Sequence, residues 1–263
     1  MIEHSSGCEM QSVLTVAGNT FREMLRDKIL YNLVFFAFLL IGVAALLGTL
    51  TIGEQSRIIS DLGLAAINLV AVVIAIFIGI SLVTKEIERR TVYTILARPI
   101  TRVQFILGKY VGLAFIVTVN IAVMFGMFLV TVWLTGNAIH GSLFQAVELV
   151  LVETLLVMAI AMFFSTFSSA TLSATFSIGL YVIGHLTSDL KAMAEKSQSQ
   201  LTDAILTALY YVCPNLEVFN IKGQAASGIL VEAGYQATAT AYGLLYAGLL
   251  LTGACLIFQR REF

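Results

Sequence analysis

Few residues of this sequence are of types that carry out bond chemistry, and their spacing argues against a catalytic site. Glu148 and Glu153 lie five residues apart in a long apolar run. On a helix this is about 140°, so they do not share one face as an acid–base pair. Gly108 and Lys109 are followed by Tyr110 and lack the upstream glycine of the phosphate-binding motif G-x-x-x-x-G-K-[ST]. We therefore predict no catalytic residue in this chain.

Histidine and cysteine residues predict no metal site either. His140 and His185 have no third ligand at metal-binding spacing. Cys8, Cys213 and Cys255 form no C-x-x-C pair, so the sequence indicates neither a disulfide framework nor a thiolate metal site. We interpret these residues as structural.

The charged residues are concentrated in one stretch, Ser81–Gly112, which we call the charge island. Charged residues make up only 12% of the chain, and the island lies between two long apolar runs. It contains six basic residues and two acids: Lys85, Arg89, Arg90, Arg98, Arg102, Lys109, Glu86 and Glu88. Because charges are costly inside hydrocarbon, the island is predicted to lie in water at a membrane face.

Residues 85–98 of the island are predicted to form a short amphipathic helix that follows the second membrane span. Positions on one side recur every four residues, at Val83, Ile87, Thr91 and Ile95. Pro99 ends this helix, because the residue before a proline is pushed out of the helical region. Thr101 and Gln104 have capping-box spacing, which predicts that a new helix begins there.

Two stretches of the chain resemble a known family. The run KEIERRTVYTILARPITRVQFILGKYVG, residues 85–112, resembles the cytoplasmic signature of permease subunits of type-2 ABC exporters, the ABC-2 family. The run YYVCPNLEVFNIKG, residues 210–223, is similar to the outer-loop segment of the same group. The resemblance implies an ATP-driven exporter in a bacterial or archaeal plasma membrane, and it implies that short helices of the outer loop cap the pathway.

The resemblance also implies partners and a role for residues 85–98 as a coupling helix. Its charged residues would contact a groove on an ATPase and its isoleucines would anchor it there: Lys85, Glu86, Ile87, Glu88, Arg89, Arg90, Ile95 and Arg98. The alternative is a basic loop that only sets membrane topology. The expected partners are ABC ATPase subunits, a second permease copy or paralogue, the lipid bilayer and an accessory extracytoplasmic protein. ATP and Mg²⁺ are expected on the ATPase, and no cofactor is expected in this chain.

Composition predicts an all-α polytopic membrane protein. Hydrophobic residues make up 59% of the chain and the mean hydropathy is +0.93, whereas soluble domains are about 45–50% apolar. The predicted single transmembrane domain, residues 1–263, has an interfacial helix at 11–28, six spans at 29–50, 64–84, 106–134, 143–167, 170–186 and 237–258, and an outer loop with short helices at 187–236. A short loop with Glu54, Arg57 and Asp61 is predicted between the first two spans.

The distribution of basic residues predicts the orientation. With the N-terminus, the charge island and the C-terminus in the cytoplasm, eleven of the fifteen Lys and Arg residues lie inside, and Arg57, Lys191, Lys196 and Lys222 lie outside. This is the positive-inside pattern, and it requires an even number of spans. No basic patch with interleaved aromatics lies outside the island, so nucleic-acid binding is not expected.

Polar residues within the spans are candidates for a transport pathway or a gate. Glu153 is the deeper of the two acids in the fourth span, and an acid at membrane depth faces a partner or a wet cavity. The alternative for Glu153 is a hydrogen bond to a Ser, Thr or Tyr of a neighbouring span. Ser165, Ser169, Ser173 and Ser177 recur every four residues, and Gly108 and Gly112 form a small-xxx-small pair. Such rows favour close helix packing over ligand binding.

A second function class fits the same composition. An ion-coupled carrier or a membrane regulator would work without an ATPase, but carriers commonly have spans broken by Gly or Pro near mid-membrane. The two prolines here, Pro99 and Pro214, both lie outside the predicted spans. The sequence therefore favours the exporter permease.

Overall fold

Helices form all the regular structure in the parts of the chain that a computed structural model describes, which are residues 3–24, 28–49, 54–88, 101–187, 206, 210 and 213–260. The α-helices are α1 (Glu3–Met24), α2 (Lys28–Thr49), α3 (Gln55–Glu88), α4 (Arg102–Leu134), α5 (Gly141–Ser165), α6 (Ala170–His185), α7 (Lys222–Ala226) and α8 (Ala233–Arg260), and one 3₁₀ turn covers Glu217–Phe219. The prediction of an all-α protein is confirmed for these residues.

Helices α3 and α5 form the centre of the bundle. Helix α5 contacts α3, α4, α6, α7 and α8, and α3 contacts α2, α4, α5, α6 and α7. Their inward residues, such as Ile67 and Ile74 on α3 and Leu156 and Ile160 on α5, are almost fully buried. The other helices therefore surround this pair, and α2, α4, α6 and α8 expose large apolar side chains on their outer sides.

The two ends of the bundle carry different groups. At one end, Phe105 of α4 stacks on Phe258 of α8, close to the start of α4 at Thr101. At the opposite end, a pocket of about 330 Å³ is lined by residues that precede or begin α3, by the α4–α5 connection and by the α7–α8 connection: Glu54, Ser56, Arg57, His140, Ala226 and Ser227. We call these the Thr101 end and the His140 end.

Among the residues that the structure describes, four helices are long and apolar enough to cross a membrane: the segments Gln55–Ser81 of α3, Val103–Leu134 of α4, Gly141–Ser165 of α5 and Ala233–Gln259 of α8. A shorter apolar stretch, Leu33–Gly48, belongs to α2. Helix α6 has only 16 residues and is about 24 Å long, whereas a membrane span needs about 20 residues. Because α6 begins beside the end of α5, its last residue lies partway along α5.

The predicted loop before α3 is wrong. Arg57 and Asp61 lie in α3 rather than in a loop, because the buried apolar side of the helix extends back to Ile59, which packs against Gly48 of α2. The helix also continues without a break from Thr84 into residues 85–88, since no glycine or proline interrupts this part of the sequence. The rest of the predicted coupling helix, with Arg89, Arg90 and Arg98, lies outside the described residues.

The start of α4 agrees with the sequence. Thr101 is its N-cap, the Thr101 hydroxyl accepts a hydrogen bond from the Gln104 backbone N–H at 3.3 Å, and Gln104 Oε1 accepts one from the Thr101 N–H at 3.0 Å. The predicted capping box is therefore confirmed. Helix α4 starts four residues before the predicted span at 106–134, and α8 likewise starts before the predicted span at 237–258.

Helix α1 packs lengthwise on the first half of α4 and runs in the same direction. Gly108 faces Val16, Gly112 faces Thr20, and Phe21 makes an edge-to-face contact with Phe115 at 5.0 Å. The two glycines permit this lengthwise packing, because they leave no side chain between the two backbones. The location of the helix at 11–28 along the membrane face stays a prediction.

The contact at Gly112 generates a test with a matched control on the same helix. A Cβ at Gly112 would lie 2.6 Å from the Ala17 carbonyl oxygen, whereas one at Gly126 would meet nothing within 4 Å. We expect Gly112→Ala to lower the free energy of unfolding by about 1–3 kcal/mol, as overpacking does. Gly126→Ala should leave it unchanged or raise it, because alanine favours helix more than glycine. Thermal unfolding of the two purified variants measures the difference, and equal melting temperatures would refute the close α1–α4 packing.

Candidate functional site: a buried polar cluster in the middle of the bundle

Glu153 lies in the middle of α5, twelve residues from either end of the helix. At 1.5 Å per residue it is about 18 Å from both ends. Its side chain is only 1% exposed. A carboxylate so far from water requires a partner inside the protein.

His185, the last residue of α6, is that partner. Its Nε2 atom lies 3.3 Å from Glu153 Oε1, which is ion-pairing distance when the imidazole is protonated. The imidazole also stacks on the ring of Tyr181, at 4.6 Å between centroids, and Tyr181 lies within reach of the Asn68 side chain on α3. The cluster Asn68, Glu153, Tyr181 and His185 therefore joins α3, α5 and α6 at one level.

The cluster is not fully satisfied by hydrogen bonds. Asn68 Oδ1, Glu153 Oε1 and His185 Nε2 have no partner with good hydrogen-bond geometry among the described residues. Asn68 and Glu153 are buried, and the His185 side chain is 21% exposed. The cluster can bind a proton or exchange polar partners. In the described parts of the chain, no group of three His, Cys, Asp or Glu residues could hold a metal ion.

The end of α6 also contacts a stretch of backbone that is not α-helical, Cys213–Ile221, which contains the 3₁₀ turn and which we call the docked segment. The Leu216 N–H donates to the Gly184 carbonyl at 2.9 Å, and the Thr187 hydroxyl donates to the same oxygen at 2.6 Å. A Cβ at Gly184 would lie 2.7 Å from the Leu216 side chain. Glycine at 184 therefore lets the docked segment approach the backbone of α6.

The docked segment lies at the level of the middle of α8 as well. The Asn215 N–H donates to the Tyr242 hydroxyl at 2.9 Å, and the buried Phe219 ring packs against Gly243. Gly243 is ten residues, about 15 Å, from the start of α8 at Ala233. Backbone hydrogen bonds at this depth must be made within the protein, which these contacts do.

After the docked segment, the chain runs along α5 toward the His140 end. The Ser142 hydroxyl donates to the Ala225 carbonyl at 3.0 Å. Gln145 both donates to the Val231 carbonyl at 3.1 Å and accepts from the Val231 N–H at 3.0 Å. Glu148, on the exposed side of α5, bonds to Gln236 of α8. Residues 213–236 are thus fastened along one side of α5.

The serines that recur every four residues lie on the side of α6 that leads to this cluster. Ser173 and Ser177 are fully buried on α6, and the Ser177 hydroxyl donates to the Ser173 carbonyl at 2.7 Å. Ser169 is exposed and is the N-cap residue of α6. Four-residue spacing carries the same face of α6 onward to Tyr181 and His185.

Sequence reasoning interpreted His185 as an isolated residue, although a signal for its pairing was present. Two antiparallel helices joined by a short turn bring together residues at equal distances from that turn. Counted from the turn at 166–169, Glu153 and Tyr181 lie at nearly equal distances, and His185 lies one helical turn beyond Tyr181. This geometry could have indicated the cluster.

The fold defines the class of this molecule as an all-helical, multi-pass membrane protein. A family model described as ABC-2 family transporter protein matches residues 14–263. The chain therefore belongs to the ABC-2 transporter family, a family of membrane transport subunits, and the predicted resemblance is confirmed. No curated protein matches the sequence.

The Asn215–Tyr242 hydrogen bond can be tested directly. Tyr242→Phe leaves the half-buried Asn215 N–H without its acceptor, which costs about 1 kcal/mol. We expect faster amide hydrogen exchange at residues 213–219. Tyr235→Phe is the control, because its hydroxyl donates to the Val218 carbonyl at an exposed position. Unchanged exchange in Tyr242→Phe would show that the segment is not held by this bond.

Proposed function

We propose that this chain is the membrane-spanning permease subunit of an ATP-driven exporter, with six membrane segments of which α6 crosses only partway, and that it forms the substrate pathway with a second copy or a paralogue. The observation that carries the proposal is the family match over nearly the whole chain. ATP and Mg²⁺ bind to separate ABC ATPase subunits in this proposal, and the permease performs no bond chemistry.

The charge distribution over the bundle supports a cytoplasmic Thr101 end. Helix α3 carries Lys85 toward this end, and Arg102, Lys109 and Arg260 lie near it on α4 and α8. Arg57 and Lys222 belong to the opposite end. Basic residues favour the cytoplasmic side, so the proposal places both termini in the cytoplasm and the docked segment in the outer half of the membrane.

Helix α3 supports a mechanical link between an ATPase and the buried cluster. Lys85, Glu86, Ile87 and Glu88 are its last residues, and Asn68 of the cluster is seventeen residues before Lys85. An unbroken helix of this length spans about 25 Å between Lys85 and Asn68. In the proposal, an ATPase contacts residues 85–98, including Arg89, Arg90 and Arg98, and its closure displaces α3 as one rigid element.

Glu153 is proposed as a gate residue that acts inside the subunit. Its burial and its contact with His185 favour a role in helix movement over direct contact with cargo. Ser173 and Ser177 are proposed to set the packing of α6, with Ser169 at its exposed start. The docked segment and α7 are proposed to cap the outer side of the pathway.

The proposal is tested by the retention of the ATPase. Arg89→Glu/Arg90→Glu reverses two charges of the coupling helix, so a tagged permease carrying it should retain at least tenfold less ATPase than wild type during purification. Arg57→Glu, the same change at the His140 end, should retain the wild-type amount. The amount of ATPase subunit that copurifies, quantified by mass spectrometry, is the measurement.

Two outcomes would contradict the proposal. One is a wild-type chain that retains no ATPase even after crosslinking from position 89 or 90. The other is equal loss of ATPase in Arg57→Glu and in the double variant, which would show that residues 89 and 90 have no specific role in docking.

A further inference from the structure

We propose that the Glu153–His185 pair is a latch that holds the end of α6, and with it the docked segment, against α5. Release of the latch frees the docked segment from the bundle. This inference rests on the proposed function. It identifies the docked segment as the movable part of the outer half of the pathway, and the Glu153–His185 pair as the contact that restrains it.

The latch and the docked segment are connected through adjacent residues. Glu153 holds His185, and the neighbouring residue, Gly184, accepts the hydrogen bond from Leu216. The Leu216 side chain is completely buried at this point. A displacement of the α6 end away from α5 therefore removes the backbone acceptor of the docked segment and the surface that buries Leu216.

The chemistry of the pair suits a contact that opens and closes. A buried ion pair contributes little compared with apolar packing of the same volume, because both groups lose their water. Glu153 is surrounded on α5 by buried apolar residues such as Val152, Leu156 and Val157. A permanent joint at this position would be more stable if it were apolar. A polar pair can instead separate and exchange its partner for another polar group, such as the Asn68 side chain.

Helix α3 can act on the latch through the contact between Asn68 and Tyr181. Tyr181 lies one helical turn before His185 on α6 and faces Asn68 of α3. Asn68 is buried, and its Oδ1 atom has no hydrogen-bond partner among the residues that the structure describes, so the contact can be exchanged. Movement of α3 along its axis shifts Asn68 past Tyr181 and thereby acts on the end of α6.

Cys213 is a native probe for the state of the docked segment. It is the first residue of that segment, it is buried, and it lies beside Tyr246 of α8. Its burial limits the access of a thiol reagent while the docked segment stays in place. Cys255 is buried elsewhere on α8 and reports unfolding of the whole bundle. Replacing Cys8 with alanine leaves these two thiols as reporters.

The test uses the full chain carrying Cys8→Ala, reconstituted in lipid nanodiscs, and a charged methanethiosulfonate reagent. Modification of each cysteine over time is followed by peptide mass spectrometry. We expect Glu153→Gln and His185→Gln each to increase the rate at Cys213 about tenfold or more, with Cys255 unchanged, because removal of one partner of a buried pair opens the local structure. Glu148→Gln is the matched control on the same helix and should leave both rates at the wild-type values.

The exchanged variant Glu153→His/His185→Glu should restore slow modification of Cys213, because it restores a pair of opposite type. The latch is overturned if Cys213 stays protected in both single variants. It is also overturned if Cys255 reacts in parallel with Cys213 in every variant, or if Glu148→Gln has the same effect. The experiment needs neither ATPase nor cargo, so its failure is distinct from a failure of ATPase retention.

Discussion

The structure depends on one constraint: backbone polar groups at membrane depth must find partners inside the protein. The docked segment has no α-helix and lies about 15 Å along α8 from the start of that helix. Its backbone is held by the Gly184 carbonyl and the Tyr242 hydroxyl, so it persists only where α5, α6 and α8 surround it. The short length of α6 provides this position, because the helix ends at the level where the segment begins.

The same constraint explains why polar side chains gather where α6 ends. The last carbonyls of a helix have no partner within the helix, and at this depth water does not supply one. Thr187 and Leu216 satisfy Gly184, and His185 bonds back to the Tyr181 carbonyl at 3.2 Å. Glu153 Oε1 lies 3.3 Å from Nε2 of the same imidazole. The buried acid is thus part of the arrangement that ends α6 inside the bundle.

Helical periodicity and local stop signals accounted for much of the fold. The long apolar runs predicted an all-helical membrane protein, and Thr101 with Gln104 predicted the start of α4. Local sequence signals gave a wrong prediction where tertiary contacts determine whether a stretch is helical. The charges of Arg57 and Asp61 suggested a loop, although the opposite side of that helix turn packs on α2.

The sequence predicted one member of the candidate site, Glu153, but not its partner, because that contact depends on tertiary structure. The sequence indicated Glu153 as costly at its depth, but its partner is 32 residues away and becomes visible only when α5 and α6 are aligned about their turn. The hydrogen bonds from Ser142 and Gln145 to the backbone of residues 225 and 231 leave no sequence pattern. They depend on where the chain returns after the docked segment.

Transmission of force through an unbroken α3 is the central claim, and electron-spin distance measurements on the complete transporter test it most directly. One label pair, at Arg57 and Ser81, spans α3 itself over about 36 Å. A second pair joins Asp61 on α3 to Glu148 on α5, both exposed positions. The account predicts that ATP shifts the second distance by a few ångströms and leaves the first unchanged. A changed Arg57–Ser81 distance, or an Asp61–Glu148 distance that does not respond to ATP, would contradict it.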